Sequence, residues 1–152
     1  MVVAVGKPRD RVLRAAIQDY ETRAARYWPI EYEEVREEPG RSAPAALIRD
    51  REGERLLARV GRQAHLVACD AAGDQMSSVE FAAWLQRERE AAARDIAFVI
   101  GGAFGLAPGV HDAAATRLSF SRWTLSHEIA RLVLVEQLYR AGTIIRGEPY
   151  HK

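Results

Sequence analysis

The run Ile96-Ala97-Phe98-Val99-Ile100 is apolar at every position and stops on two adjacent glycines, Gly101 and Gly102, with Gly105 three residues further on. A run this short and this apolar reads as a strand. A strand that stops on glycines lets another group approach the backbone closely. In open α/β sheets ligands sit at the carboxyl ends of the strands, so this junction is the first place to look for a cofactor. The spacing G-G-x-x-G is not the dinucleotide fingerprint G-x-G-x-x-G, and a tight strand-to-loop turn accounts for the same residues. Both readings stand at this point.

The segment that follows adds constraint. Arg117 to Ser121 places Leu118 and Phe120 on one face and reads as a second short strand, after which the chain runs to its terminus as one long helix and a tail. Ser126 is the expected N-cap, and Glu128 lies in the first turn, where a carboxylate favours the positive end of a helix. Ile129, Ala130, Leu132, Val133, Leu134, Val135, Leu138 and Tyr139 point in nearly every direction around the helix axis. Such a helix must be covered on most sides. One core in a chain of 152 residues can hardly wrap it, so a second subunit is expected to cover the rest. Glu136 and Arg140 stand four apart and are expected to pair.

The rest of the chain alternates strands and helices, which predicts an α/β fold in a single domain, 1–152. Met1 to Val5 reads as a buried strand. Leu13, Ile17, Tyr20, Ala24 and Tyr27 then mark a helix from about Arg9 to Tyr27. Its outer face carries Arg9, Arg11, Arg14, Arg23 and Arg26 against Asp10, Asp19 and Glu21, a charge pattern that reads as a solvated face, with contact to phosphate groups the alternative. Ile30 to Arg36 reads as a strand with one solvated face, and Glu31, Glu33, Glu34, Glu37 and Glu38 on that side would repel phosphate. A second helix is expected over Ala45 to Val60, weakened by Gly53. Together with Arg41 in the preceding loop, its Arg49, Arg51, Arg55 and Arg59 form a second, mixed patch. Leu66 to Cys69 reads as a strand ending at Asp70, with a turn at Gly73. Ser77 and Glu80 form a capping box before a helix that buries Phe81, Trp84 and Leu85. Pro108 to Thr116 is a short alanine-rich helix.

Composition excludes several classes. The formal charge is +1, so any affinity for nucleic acid must come from local patches. The single Cys69 rules out an internal disulfide and a cysteine-cluster metal site, and fits a reducing compartment. Met1 opens directly into a strand, and no apolar run approaches the ~20 residues of a membrane span, so a cytoplasmic protein without leader or membrane anchor is expected.

Taken together, IGGAFGL, LSFSRWTLSHEIAR and LVEQLYRAGTIIRGEPYHK resemble the small SPOUT-class methyltransferases of the ribosomal large-subunit methyltransferase H family. The likeness covers essentially the whole chain, from the opening VVAVGK to the Tyr-His-Lys tail. It implies a SPOUT-type knotted α/β fold with a carboxyl-terminal trefoil knot, S-adenosylmethionine as cofactor and an obligate homodimer. The implied reaction is methylation of N3 of a pseudouridine in 23S rRNA, on the assembled ribosome, with no metal and no membrane involved.

Matched residue by residue, the resemblance places Cys69, Gly102, Ser121, Arg122, Trp123, Thr124, Leu125 and Ser126 against the cofactor. Methyl transfer is an in-line displacement, so the site needs shape more than reactive groups. Glycines expose backbone amides and carbonyls for that purpose. N3 of pseudouridine must lose a proton, and a neutral imidazole is a suitable acceptor. His127 and His151 are the candidates, with a structural role open for His127. The family places the tail in the active site, that of the partner subunit, with Tyr150 orienting the base, His151 positioning or deprotonating it and Lys152 meeting phosphate. Arg140 is a further substrate contact or the structural partner of Glu136.

Two positions depart from the family pattern. Ser126 replaces a frequent proline, which is expected to loosen the loop over the cofactor. Gly142 replaces a frequent tryptophan and removes bulk from the last helix, at the expected dimer contact. Competing readings are a related methyltransferase acting on tRNA, a non-catalytic ribosome-associated dimer, and a generic nucleotide-binding module that takes ATP or NAD.

Overall fold

The structure, a computed structural model, describes residues 1–39, 43–61, 63–91 and 95–151. Strands and helices alternate along the chain: β1 Val2–Val5, α1 Arg11–Ala24, β2 Tyr32–Val35, α2 Ala45–Leu57, β3 His65–Gln75, α3 Ser78–Ala91, β4 Ile96–Ile100, α4 Pro108–Ala113, β5 Thr116–Ser119 and α5 His127–Ile145. The strands form one sheet in the order β2-β1-β4-β3-β5, and every neighbouring pair is parallel. All the carboxyl ends therefore open on one edge.

A parallel sheet is covered on both faces, and the two sets of alternating side chains divide accordingly. Val2, Ala4, Val67, Phe98, Ile100 and Leu118 pack with Phe81, Trp84 and Leu85 of α3 and with Leu134, Leu138 and Ala141 of α5. Val3, Val5, Ala68, Ala97 and Val99 face the other way, onto Leu56 of α2 and Val110 of α4. Each fully buried valine or leucine contributes about 1.5–3 kcal/mol relative to exposure, which is why β1 and β4 carry almost no polar residue.

Several expected boundaries move. α1 begins at Arg11 rather than Arg9, because the Asp10 carboxylate accepts from Leu13 N at 2.8 Å and caps it there. α2 stops at Leu57, and Gly53 serves it: a side chain there would bring its Cβ within 2.6 Å of Ala107 Cβ. The largest correction concerns β3. It does not end at Asp70 with a turn at Gly73 but continues to Gln75. Between Cys69 and Asp74 its register against β5 shifts, so that both residues oppose Leu118. Gly73 permits this excursion, since a Cβ would stand 2.7 Å from the Arg117 carbonyl carbon. The β5 strand covers Thr116–Ser119 instead of Arg117–Ser121, and α4 ends at Ala113.

Both expected helix caps form. The capping box forms, with Ser77 N donating to Glu80 Oε2 at 2.7 Å and Glu80 N to Ser77 Oγ at 3.2 Å. Ser126 caps α5, accepting from Ile129 N at 3.4 Å, which supplies a hydrogen bond that proline could not offer. Gly142 faces its own chain: a side chain there would enter the ring of Tyr27. The acidic run is largely paired, Glu33 with Arg59, Glu34 with Arg131, Glu37 with Arg9 and Glu38 with Arg51 and Arg55. Arg41, part of the second basic patch, lies outside the described residues.

Candidate active site

The loop after β4 folds back on itself. Gly105 N donates to Gly102 O at 3.1 Å, the two glycines form an isolated bridge, and Gly105 turns the chain at φ +78°. Glycine is required at 101 because a Cβ there would lie 2.6 Å from the Gly105 carbonyl oxygen. At 102 it would lie 2.6 Å from Glu52 Oε2 and 3.0 Å from Val5 Cγ1. The sequence suggested that these glycines expose backbone to a ligand; the chain's own close packing demands them as well.

This loop, the end of β3 and the segment between β5 and α5 enclose a cavity of about 610 Å³ at the carboxyl edge of the sheet. Of the residues expected against a cofactor, Cys69, Gly102, Ser121, Trp123, Thr124, Leu125 and Ser126 all line it. Arg122 does not. His127 lines the same cavity, as do Asp70, Phe104, Leu106 and Ala130, which the sequence reading passed over. The signal for Asp70 was its position one residue past a predicted strand end. For Ala130, one turn into α5, nothing in the sequence distinguished it from a core alanine.

The electrostatics favour shape over reactivity. Burial pushes the Cys69 thiol up, so it remains protonated and packs as a small apolar group. Asp70 is engaged, 3.2 Å from His111 Nε2 and accepting from Ala72 N at 2.8 Å. The segment over the cavity is held by its own hydroxyls: Ser121 Oγ accepts from Trp123 N at 3.0 Å, and Ser119 Oγ lies 2.9 Å from the Ser121 carbonyl. Trp123 itself is 81% exposed although it borders the cavity. His127 Nε2 is buried without a hydrogen-bond partner among the described residues, 3.9 Å from Glu37 Oε1 and 4.0 Å from Glu128 Oε1.

The tail lies elsewhere. Tyr150 packs against Tyr139 with ring centroids 4.6 Å apart and ring planes tilted at 59°, and its hydroxyl reaches Glu136 Oε1 at 3.0 Å and Tyr20 Oη at 3.2 Å. Arg140 pairs with Glu136 at 2.6 Å, sits 4.7 Å from the Tyr150 ring centroid, and places Nη1 3.5 Å from His151 Nδ1. Neither Tyr150 nor His151 lines the cavity of its own chain. Lys152 lies outside the described residues.

A concave, largely apolar cavity with scattered polar groups, at the carboxyl edge of a parallel sheet, is the form of a small-molecule site. The family model for predicted SPOUT methyltransferases matches residues 1–151, nearly the whole chain. The chain belongs to the SPOUT methyltransferase family. Proteins called ribosomal RNA large subunit methyltransferase H are similar to it throughout. That of Gemmatimonas aurantiaca is 58% identical over 151 residues, covering 99% of this chain and 97% of the relative. Those of Anaeromyxobacter sp. strain Fw109-5 and Geobacter sulfurreducens are 49% and 45% identical, each with 99% of this chain and 97% of the relative covered. Membership in the SPOUT family gives the cavity its chemical setting, and seven of the eight residues that the family likeness singled out as cofactor contacts, all but Arg122, line it. Among the described residues no cluster of His, Cys, Asp and Glu could hold a metal ion, and no helix is long and apolar enough to cross a membrane.

Proposed function

We propose that this protein is an S-adenosylmethionine-dependent methyltransferase that modifies N3 of a pseudouridine in 23S rRNA. The observation that carries the reading is the cavity at the carboxyl edge of the sheet, bordered by Gly102, Cys69 and the segment 121–127. Its volume of about 610 Å³ and its apolar walls suit a nucleoside-sized cofactor. S-adenosylmethionine, when bound, supplies a methyl group carried on a sulfonium sulfur.

The chain's own residues have two tasks. The glycine loop and the Ser121–Ser126 segment hold donor and acceptor in line, and orientation of this kind supplies on the order of 7 to 11 kcal/mol. An imidazole takes the N3 proton. His127 stands at the cavity wall; His151 and Tyr150 lie on the tail, outside it. The reading therefore includes a homodimer in which Tyr150, His151 and Lys152 of one protomer serve the cavity of its partner, with Tyr150 orienting the base and Arg140 and Lys152 meeting the RNA. The same reading treats the chain as one domain with a carboxyl-terminal trefoil knot, acting in the cytoplasm on the assembled ribosome.

The test is transfer of labelled methyl from S-adenosylmethionine to ribosomes lacking the modification, compared with free 23S rRNA, with the label located by nuclease digestion and mass spectrometry. Label at N3 of one pseudouridine, on ribosomes only, is the expected result. Cofactor binding without label on any RNA would overturn the catalytic reading.

A further inference from the structure

A second cavity, of about 450 Å³, opens on the same edge of the sheet at the ends of β1 and β2. Lys7, Arg9, Arg14 and Arg36 line it, with Glu34 and Glu37 as the acids. Both acids are engaged: Glu34 accepts from Arg131 Nη1 at 2.6 Å, and Glu37 pairs with Arg9. Arg14 is aimed by the chain itself, its Nε donating to the Pro8 carbonyl at 3.0 Å. Lys7, Arg14 and Arg36 make no ion pair among the described residues, and Lys7 and Arg36 are exposed. The balance at this opening is positive in a chain whose overall formal charge is only +1.

The two cavities lie side by side. His127 borders the first, and its Nε2 lies 3.9 Å from Oε1 of Glu37, which borders the second. The loop carrying Lys7 is tied to the same place, since Arg9 N donates to Glu128 Oε1 at 2.9 Å. Movement of one site relative to the other is thereby restrained.

We propose that Lys7, Arg14 and Arg36 bind a backbone phosphate of the substrate RNA beside the nucleotide presented to the first cavity. The proposal rests on the RNA-methyltransferase reading and adds a substrate subsite to it. Phosphate contacts fix register without reading sequence, which suits an enzyme whose RNA affinity must come from a local patch. A strand with its base in the first cavity continues across His127 onto cations that no carboxylate has neutralised.

The test compares wild type, Lys7→Ala, Arg36→Ala, the double variant and, as control, Arg87→Ala, an exposed cation on α3 that lines neither cavity. Binding to large ribosomal subunits is followed from low to high salt, beside methyl transfer, S-adenosylmethionine affinity and thermal unfolding. Each single variant should weaken subunit binding roughly three- to tenfold and lower the log–log salt slope by about 1. Cofactor affinity and unfolding should stay at the wild-type values, as should every property of Arg87→Ala. An unchanged salt slope and unchanged kcat/KM in the double variant would overturn the subsite. If wild type binds subunits but transfers no methyl, the catalytic reading falls and the slopes still decide the subsite. If wild type binds no subunits at any salt, the subsite falls with it.

Discussion

Tyr150 is anchored to Glu136 of its own chain, hydroxyl to Oε1 at 3.0 Å, while the cavity that its tail is proposed to serve lies elsewhere. Burial first, then hydrogen bonding with Tyr20 and Glu136, pushes the phenol up from its ordinary value. Tyr150 is thus a neutral donor at physiological pH. Tyr150→Phe should lower kcat roughly tenfold with little change in cofactor affinity, and the wild-type pH–rate profile should show no tyrosine ionisation below pH ~10. A profile with a descending limb near pH 8 that disappears in Tyr150→Phe would show instead that the phenol titrates in the working range.

Arg131 ties α5 to α1 and β2 through Glu21 at 2.8 Å and Glu34 at 2.6 Å. Burial opposes its charge, but hydrogen bonds to Glu34 and Glu21 outweigh that cost and raise its pKa. Arg131→Met leaves two carboxylates without their cation. Because both retain some exposure, the expected loss is about 2–3 kcal/mol, below the full figure for a buried pair. Urea unfolding measures it, and a loss under about 0.5 kcal/mol would mean that solvent already screens the trio.

Glu52 is 4% exposed, accepts from Glu38 N at 2.9 Å through Oε1, and leaves Oε2 without a partner among the described residues. Burial raises its pKa from 4.5. The folded state therefore binds a proton more readily than the unfolded one, and this residue costs stability as pH rises through its folded value. Glu52→Gln should be more stable than wild type at pH 7, by about 1 kcal/mol, with the advantage vanishing towards pH 4. Denaturant titrations at the two pH values check the sign.

Gly102→Ala would place a methyl 2.6 Å from Glu52 Oε2 and 3.0 Å from Val5 Cγ1. Overpacking of this kind costs about 1–3 kcal/mol. Since Gly102 borders the cavity, S-adenosylmethionine affinity should fall as well, measured by calorimetry. Wild-type affinity in a destabilised variant would separate the packing role from the site.

Trp123 is 81% exposed at the cavity mouth, whereas Trp84 is 8% exposed in the core and Trp28 donates from Nε1 to the Leu138 carbonyl at 2.8 Å. A change in tryptophan fluorescence on adding S-adenosylmethionine should come from Trp123 alone. Trp123→Phe should bind the cofactor within about threefold of wild type and abolish the spectral change. Persistence of the change would assign it to a movement of the core.

The family likeness, not local pattern, pointed to Cys69 and the 121–126 segment of the cavity wall. The sequence alone determined the alternation of strands and helices, the helix caps at Ser77 and Ser126, the Glu136–Arg140 pair and the glycine-bordered end of β4. These features are written in neighbouring residues: apolar periodicity, capping hydroxyls, an i,i+4 spacing and a strand that ends on glycines. Tertiary structure decided the rest. That β3 runs on past Asp70 depends on Gly73 lying against Arg117, and that Gly142 is small depends on the ring of Tyr27. The pairing of Arg131 with Glu21 and Glu34 joins residues 110 and 97 positions apart. The acidic run around β2, read from sequence as a surface hostile to phosphate, is largely neutralised by arginines from α2 and the turn after it, from α5 and from the β1–α1 loop. Local pattern fixes which groups a residue presents, but charge balance and close packing depend on what distant segments bring beside it, and that is set only when the sheet assembles.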